Sequence, residues 1–307
     1  MQVGFFFWPY TPELCGQLAE HADRYGYAMI GIADTPGNAM DPWMAATLVA
    51  PARREARVAL CVTNLLTRHP AVSAAAIASL DFRGRAILGL GAGHSGTKNL
   101  GLGKSTAQEL ADAVVFIKTL LTGAPATLGT AAAHLPWVQR AAPVFLAGSH
   151  RRTLEAAGRL TDGAFVNFGL GADNIKASQA HLANGAKAGG RRIHDLEVWQ
   201  IAALDCSEER EVARNKIGAM LAFLACYVIG NKNLAARGVP AVKLVQELGL
   251  FDYLSQRLSI CGNPDDCLKQ ALAAKAAGAQ RLMLSVSLAS DPVRTVELFG
   301  EHVLPKL

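Results

Sequence analysis

The sequence predicts a TIM barrel, an α/β fold of eight parallel strands ringed by helices, here carrying insertions. Three observations lead there. Short apolar runs alternate with longer helical patterns eight times along 307 residues. The runs are continuous Val, Ile, Leu and Phe rather than alternating apolar and polar, which suits strands buried on both faces of a parallel sheet. Eight such units in roughly 300 residues fit a barrel that tolerates insertions beyond its usual ~250 residues. The whole chain, 1–307, is expected to form one barrel domain with insertions at about 123–142 and 207–262. A doubly wound open sheet is the runner-up.

The elements follow in order. "VGFFFW" (3–8) leads to a helix pattern from Thr11 to Tyr25, and "YAMIGIAD" (27–34) to a loop and a helix from Asp41. "RVALCVTN" (57–64) precedes an alanine-rich helix, 71–80; "RAILGLG" (85–91) precedes a glycine loop and the helix 105–122. "PVFLAG" (143–148) is followed by helix 150–160, and "GAFVNFG" (163–169) by helix 173–187. "LEVWQIAALD" (196–205) opens a long helical stretch, and "QRLMLSVS" (280–287) leads to a last helix from Asp291.

Composition excludes several classes. The chain is 51% apolar and 18% charged, enough to bury a large core and unlike a disordered segment. Its net charge of +5 is spread thinly, and Arg191-Arg192 with nearby lysines is too small a cluster for a nucleic-acid footprint. A mild basic excess fits an anionic small ligand or an ordinary solvated surface. The start, "MQVGFFFWPY", lacks a basic leader and reads as a buried strand. The longest apolar run, "GAMLAFLACYVIG" (218–230), is too short to span a bilayer and reads as a buried helix. The six cysteines form no CxxC pair and the histidines no metal-like spacing, so free, mostly buried thiols in a cytoplasmic protein are expected, with no metal.

"GAGHSG" (91–96) fits the spacing of a dinucleotide fingerprint, but it follows the fourth strand. The residues 20 to 25 further on belong to a helix, where a Rossmann fold needs an acidic residue. "GLGKST" (101–106) is not a Walker loop, because Lys98 stands where that motif needs glycine. In a barrel such a loop sits on the catalytic face, where glycines, Gly93 among them, let the backbone approach a flat ligand.

Four stretches carry a family resemblance: "CVTNLLTRHPAVSAAAIASLD", "GRAILGLGAGHSGTKNLGL", "PVFLAGSHRRTLEAAGRLTDGAFVNFG" and "GNPDDCLKQALAAKAAGAQRLML". The chain resembles the luciferase-like flavin-dependent oxidoreductases, on the branch typified by methylene-tetrahydromethanopterin reductase. The resemblance spans nearly the whole chain. It implies a TIM barrel that binds FMN or the deazaflavin coenzyme F420 at the C-terminal ends of the strands.

Residue by residue, the resemblance implies the following. Many family members have a non-proline cis peptide in the third strand, a bulge behind the isoalloxazine ring; here it falls at Cys61–Val62, although Cys61 also reads as a plain buried thiol. Thr63 and Asn64 on the rim are expected to hydrogen-bond the ring or its ribityl chain. The loop Gly148-Ser149-His150-Arg151 is expected to hold the cofactor phosphate at a helix N-terminus, with Arg151 or Arg152 adding charge; the alternative makes Ser149 a helix cap. The luciferase arginine that binds FMN phosphate is replaced by Ala92, which leaves Lys98 as a candidate cation. Asp34 matches an acidic pattern at the cofactor, while Thr35 replaces a catalytic histidine. His94 stands where deazaflavin relatives carry Glu. His94 is therefore the leading acid–base candidate beside Asp34, because imidazole titrates near neutral pH; a structural, hydrogen-bonded His94 is the alternative. Trp43 either walls the pocket or fills the core. His69 starts a helix and is assigned no chemistry.

The first functional reading is a monooxygenase using reduced FMN supplied by a separate flavin reductase. The alternative is an F420-dependent hydride-transfer oxidoreductase similar to methylene-tetrahydromethanopterin reductase. A third is a flavin-binding protein without turnover. A small-molecule substrate and a homo-oligomer are expected. Specificity is placed in loops 35–42, 97–104, 123–142 and 230–262, and the apolar "LGTAAAHLPWVQR" favours a hydrophobic or aromatic substrate.

Overall fold

The computed structural model describes residues 1–50, 55–81, 84–93, 95–228 and 249–307, with backbone alone at 95, 219–220 and 222–228. Eight parallel strands close a barrel: β1 (Gln2–Phe7), β2 (Met29–Ile32), β3 (Arg57–Asn64), β4 (Ala86–Gly91), β7 (Val144–Gly148), β8 (Gly163–Val166), β9 (Glu197–Cys206) and β11 (Arg281–Ser285). Closure is set by β1 against β11 (Gln2↔Arg281) and by β8 against β9 (Gly163↔Glu197). The expected fold is the observed one.

Local chemistry starts the helices where the sequence says. Thr11 accepts from Leu14 N–H at the head of α1 (Pro12–Tyr25). Asp41 caps α2 (Pro42–Val49) through the N–H groups of Trp43 and Met44, and His69 Nδ1 accepts from Ala71 N–H at α3 (Pro70–Leu80). Thr106 and Glu109 cap each other's backbone at α5 (Ala107–Leu121). Asp291 heads the last helix, Pro292–His302. Each cap satisfies N–H groups that the first helical turn leaves without partners.

The interior of the barrel holds Met29, Cys61, Ile87, Phe145, Phe165, Trp199 and Met283. Two larger apolar layers lie outside it, under the helices. The N-terminal end is plugged by polar side chains. Arg57 Nη1 donates to both oxygens of Glu197, at 2.6 and 2.8 Å, and Trp199 Nε1 donates to Glu197 Oε1 at 2.6 Å.

Three expectations need correction. The segment 207–262 is not all insertion: after α8 (Arg210–Val228) and helix Phe251–Leu258, residues Ser259–Gly262 form β10, a ninth strand parallel to Ala203–Cys206 at the end of β9. The rest of the expected loop 230–262, up to residue 248, lies outside the described residues. Segment 123–142 is a β-hairpin, β5 (Ala126–Leu128) with β6 (Ala131–Ala133), and it is not at the barrel mouth. It joins the end of a helix to the start of a strand, and such connections lie on the N-terminal face. His134 Nε2 stays 3.0 Å from Gly123 O, and Arg140 packs on Gly84 in the connection that precedes β4. The hydrophobic-substrate preference drawn from this segment goes with its placement. Finally, the glycine loop after β4 contains a short helix, α4 (Ser95–Asn99).

Cys15, Cys61, Cys206, Cys261 and Cys267 are free and buried, as expected. Among the described residues no group of side chains could hold a metal, and no helix is long and apolar enough to cross a membrane.

Candidate functional site

Because every barrel strand runs the same way, segments 34–41, 61–68, 91–99 and 148–152 all leave strands at the C-terminal face. The first three touch. Thr63 Oγ1 donates to Asp34 Oδ2 at 2.7 Å, and Asn99 Nδ2 donates to Asn38 Oδ1 at 2.9 Å. Asn64 pairs in register with Gly91. The fourth joins through the register of β4 with β7: Leu90 pairs with Leu146, so Ala92 and Gly148 leave their strands side by side.

Asp34 lies just past β2, half-buried. Burial pushes its carboxyl above the usual aspartate range, and the neighbouring Asp41 adds to this; the Thr63 hydroxyl and the Arg68 guanidinium pull the other way. Arg68 was given no role from sequence. It stands 3.5 Å from Asp41 Oδ2 and 5.2 Å from the centre of the Trp43 ring. Trp43 is buried and belongs to the apolar cluster that includes Leu60, Ala74 and Ile77.

The peptide bond between Cys61 and Val62 is cis, where the resemblance places it, and the β3–β4 register shifts between Leu60 and Thr63. Burial raises the Cys61 thiol well above its usual range, which keeps it neutral. Two rim residues are already engaged. Thr63 gives its hydroxyl proton to Asp34 rather than to a ligand. Asn64 Oδ1 accepts from the N–H groups of Leu66 and Thr67, both at 2.9 Å, so only its amide donors remain for a ligand.

Gly93 has φ +80°, a left-handed turn that a side chain would strain. His94 lies outside the described residues. Lys98 is exposed on α4. At the fourth segment the helix cap is His150, not Ser149, and it makes no side-chain bond to the first turn of α6 (Arg151–Leu160). Ser149, His150, Arg151 and Arg152 are exposed; Arg151 reaches Glu155 only at 3.7 Å. The N–H groups of that first turn, uncapped and flanked by cations, suit an anion.

This arrangement, with chemistry-bearing loops gathered at one end of a closed parallel barrel, defines a TIM-barrel enzyme. The chain belongs to the luciferase-like monooxygenase family, whose sequence model matches residues 11–281, and it is an oxidoreductase. It is 25% identical over 333 residues to the 5,10-methylenetetrahydromethanopterin reductase of Methanolobus tindarius, spanning 99% of this chain and 100% of that one. Among solved structures it matches the coenzyme F420-dependent tetrahydromethanopterin reductase of Methanopyrus kandleri with a TM-score of 0.81 at 21% identity, over 99% of both chains. It matches an F420-dependent secondary alcohol dehydrogenase, in complex with an F420–acetone adduct, with a TM-score of 0.80 at 18% identity over 98% of both. These relatives support the hydride-transfer alternative better than the FMN monooxygenase placed first on sequence grounds.

Proposed function

We propose that this chain is an oxidoreductase that exchanges hydride between the deazaflavin coenzyme F420 and a small organic substrate. The observation that carries the proposal is the end-to-end similarity to a methylenetetrahydromethanopterin reductase, which spans 99% of this chain and 100% of that one.

The residues present fit such a coenzyme. The uncapped start of α6, with Ser149, His150, Arg151 and Arg152, suits an anionic tail. Gly93 and the Cys61–Val62 bulge offer a surface that a flat ring can approach. The bound coenzyme supplies the hydride. Asp34 and His94 are the candidates to hold or accept the accompanying proton. The geometry around Asp34 suits that role, because Thr63 fixes its Oδ2 while Oδ1 has no partner among the described residues. An assembly of identical copies belongs to the same reading: α2 and α3 carry no charged residue and expose Met44, Leu48 and Val72.

The test is a pair of titrations of the purified chain, one with F420 and one with FMN, followed by assays of hydride transfer and of oxygen consumption. Tight F420 binding with oxygen-independent turnover is the expected result. Tight binding of FMN alone, with oxygen consumed when the flavin is supplied reduced, returns the monooxygenase fed by a separate reductase. That second reading keeps its place because it is the activity for which the family is named.

A further inference from the structure

We infer that Thr63 is a positioning residue for Asp34: its hydroxyl pins one carboxylate oxygen and leaves the other to exchange the proton. The inference rests on the reading of Asp34 as an acid–base group at the barrel mouth.

Asp34 lies two residues past Ile32, the last residue of β2, so no strand pairing holds its backbone. Thr63 is the opposite case. It lies within β3, paired with Leu90 of β4, and is fully buried. A β-branched side chain in a strand has few rotamers open to it, so the position of Oγ1 is set by the barrel itself. The 2.7 Å bond therefore transfers the rigidity of the barrel to a carboxylate in a loop.

The bond also has a fixed polarity. An ionised carboxylate only accepts, so Thr63 must donate to it. Donation to the charged form favours that form and opposes the effect of burial. Among the described residues, the other charged groups acting on Asp34 are Asp41 at the head of α2 and Arg68 beyond β3. His94 belongs to the loop after β4, which packs on the Asp34 backbone through Gly96. Asp41 and Arg68 stand 3.5 Å apart and act on Asp34 in opposite directions, which leaves Thr63 as the uncharged partner that fixes the carboxylate and lowers its proton affinity against the effect of burial.

Thr63→Val keeps the shape of the side chain and removes the donor; Thr63→Ser keeps the donor. The aspartate side-chain carboxyls of the full chain, labelled with carbon-13 and free of coenzyme, are titrated by NMR. The Asp34 signal is assigned by its absence in Asp34→Asn. Thr63→Val is expected to raise the Asp34 midpoint by about one pH unit, a tenfold gain in proton affinity, and Thr63→Ser to restore it. If Thr63→Val fails to fold, Thr63→Ala carries the same expectation. A folded donorless variant whose Asp34 titrates as in the wild type overturns the inference. The pH profile of kcat/KM with F420 is the second readout, and its acidic limb should move up with the NMR midpoint. A shifted NMR midpoint without any F420-linked turnover keeps the Thr63–Asp34 coupling and rejects the proposed function. Turnover with an unmoved midpoint does the reverse.

Discussion

Gly96 lies against the backbone of Asp34: a Cβ at residue 96 would stand 3.0 Å from the Asp34 carbonyl oxygen and 2.8 Å from Pro36 Cδ. A backbone carbonyl and a proline ring cannot swing aside as a flexible side chain can. Gly96→Ala therefore has to separate the loop after β4 from the loop after β2. Overpacking of this kind costs about 1–3 kcal/mol. The expected result is a lower urea midpoint together with weaker F420 binding, because both loops face the mouth. If neither quantity changes, the two loops are not locked together as the geometry requires.

The raised proton affinity of Asp34 sets a second expectation. Its folded-state pKa lies above the ordinary aspartate value, chiefly through burial. A folded state that binds the proton more tightly than the unfolded state is favoured as pH falls. The stabilising contribution is complete below the unfolded pKa and is lost as pH rises through the folded one. Above its folded-state pKa the ionised carboxylate thus burdens the fold, and there Asp34→Asn should melt higher than the wild type. That advantage should shrink as pH is lowered through the folded pKa. The same substitution should reduce turnover by about 10²–10⁴-fold if Asp34 handles the proton. Thermal melts across a pH series, set beside kcat, check both halves; a variant less stable than the wild type across the whole series contradicts the burial argument.

What could be read from sequence was what is local. Thr11, Asp41, His69, Thr106 and Asp291 start their helices because a cap bonds to residues two or three positions on, and that spacing is visible in the chain. The barrel strands were visible as apolar runs. The short strand Ser259–Gly262 was not, because four residues carry no period and its partner lies more than fifty residues away at Ala203–Cys206. The hairpin at 126–133 is largely alanine and threonine between turns and has no strand signature. Its misplacement at the mouth had a different source: the segment joins a helix to the next strand, and that alone puts it on the far face. At the site, Asp34 and Thr63 were both singled out, but not their bond. It spans 29 positions and depends on the β2–β3 register, Ile32 opposite Leu60. Arg68 sat unnoticed in "TRHP", since its partners Asp41 and Trp43 come from another unit of the barrel.

Ser149 separates binding from folding. It precedes the uncapped start of α6, where the free N–H groups and the helix dipole favour negative charge. Ser149→Asp supplies that charge from the protein itself. The helix should be no less stable, while an anionic coenzyme meets a repulsive group. A penalty of 1.4 kcal/mol is already tenfold in Kd, so the F420 dissociation constant should rise at least about tenfold with the melting temperature unchanged or higher. A Kd within about twofold of the wild type would move the anion site elsewhere on the mouth, with Lys98 the next cation to test.

Glu197 should show the opposite pattern, because it works at the other end of the barrel. It accepts from Arg57 through both oxygens and from the Trp199 indole, and all three groups sit at or near the N-terminal ends of β3 and β9. Its side chain and that of Arg57 remain 25% and 29% exposed, so solvent shares in the balance and the ion pair alone is a weak guide to stability. The indole is different: Trp199 is 1% exposed, and its N–H has no water to turn to when the carboxylate goes. Stranding a buried donor costs about 1–3 kcal/mol. Glu197→Ala is therefore expected to lower the unfolding free energy by that amount, read as a lower urea midpoint, and to change the Trp199 fluorescence. F420 affinity and KM should stay as they are, since the proposed coenzyme site is at the C-terminal ends of the strands. Glu197→Gln, which keeps an acceptor oxygen for the indole, should recover part of the loss. Equal damage from both variants would mean that charge pairing with Arg57, not the indole bond, holds this end of the barrel closed.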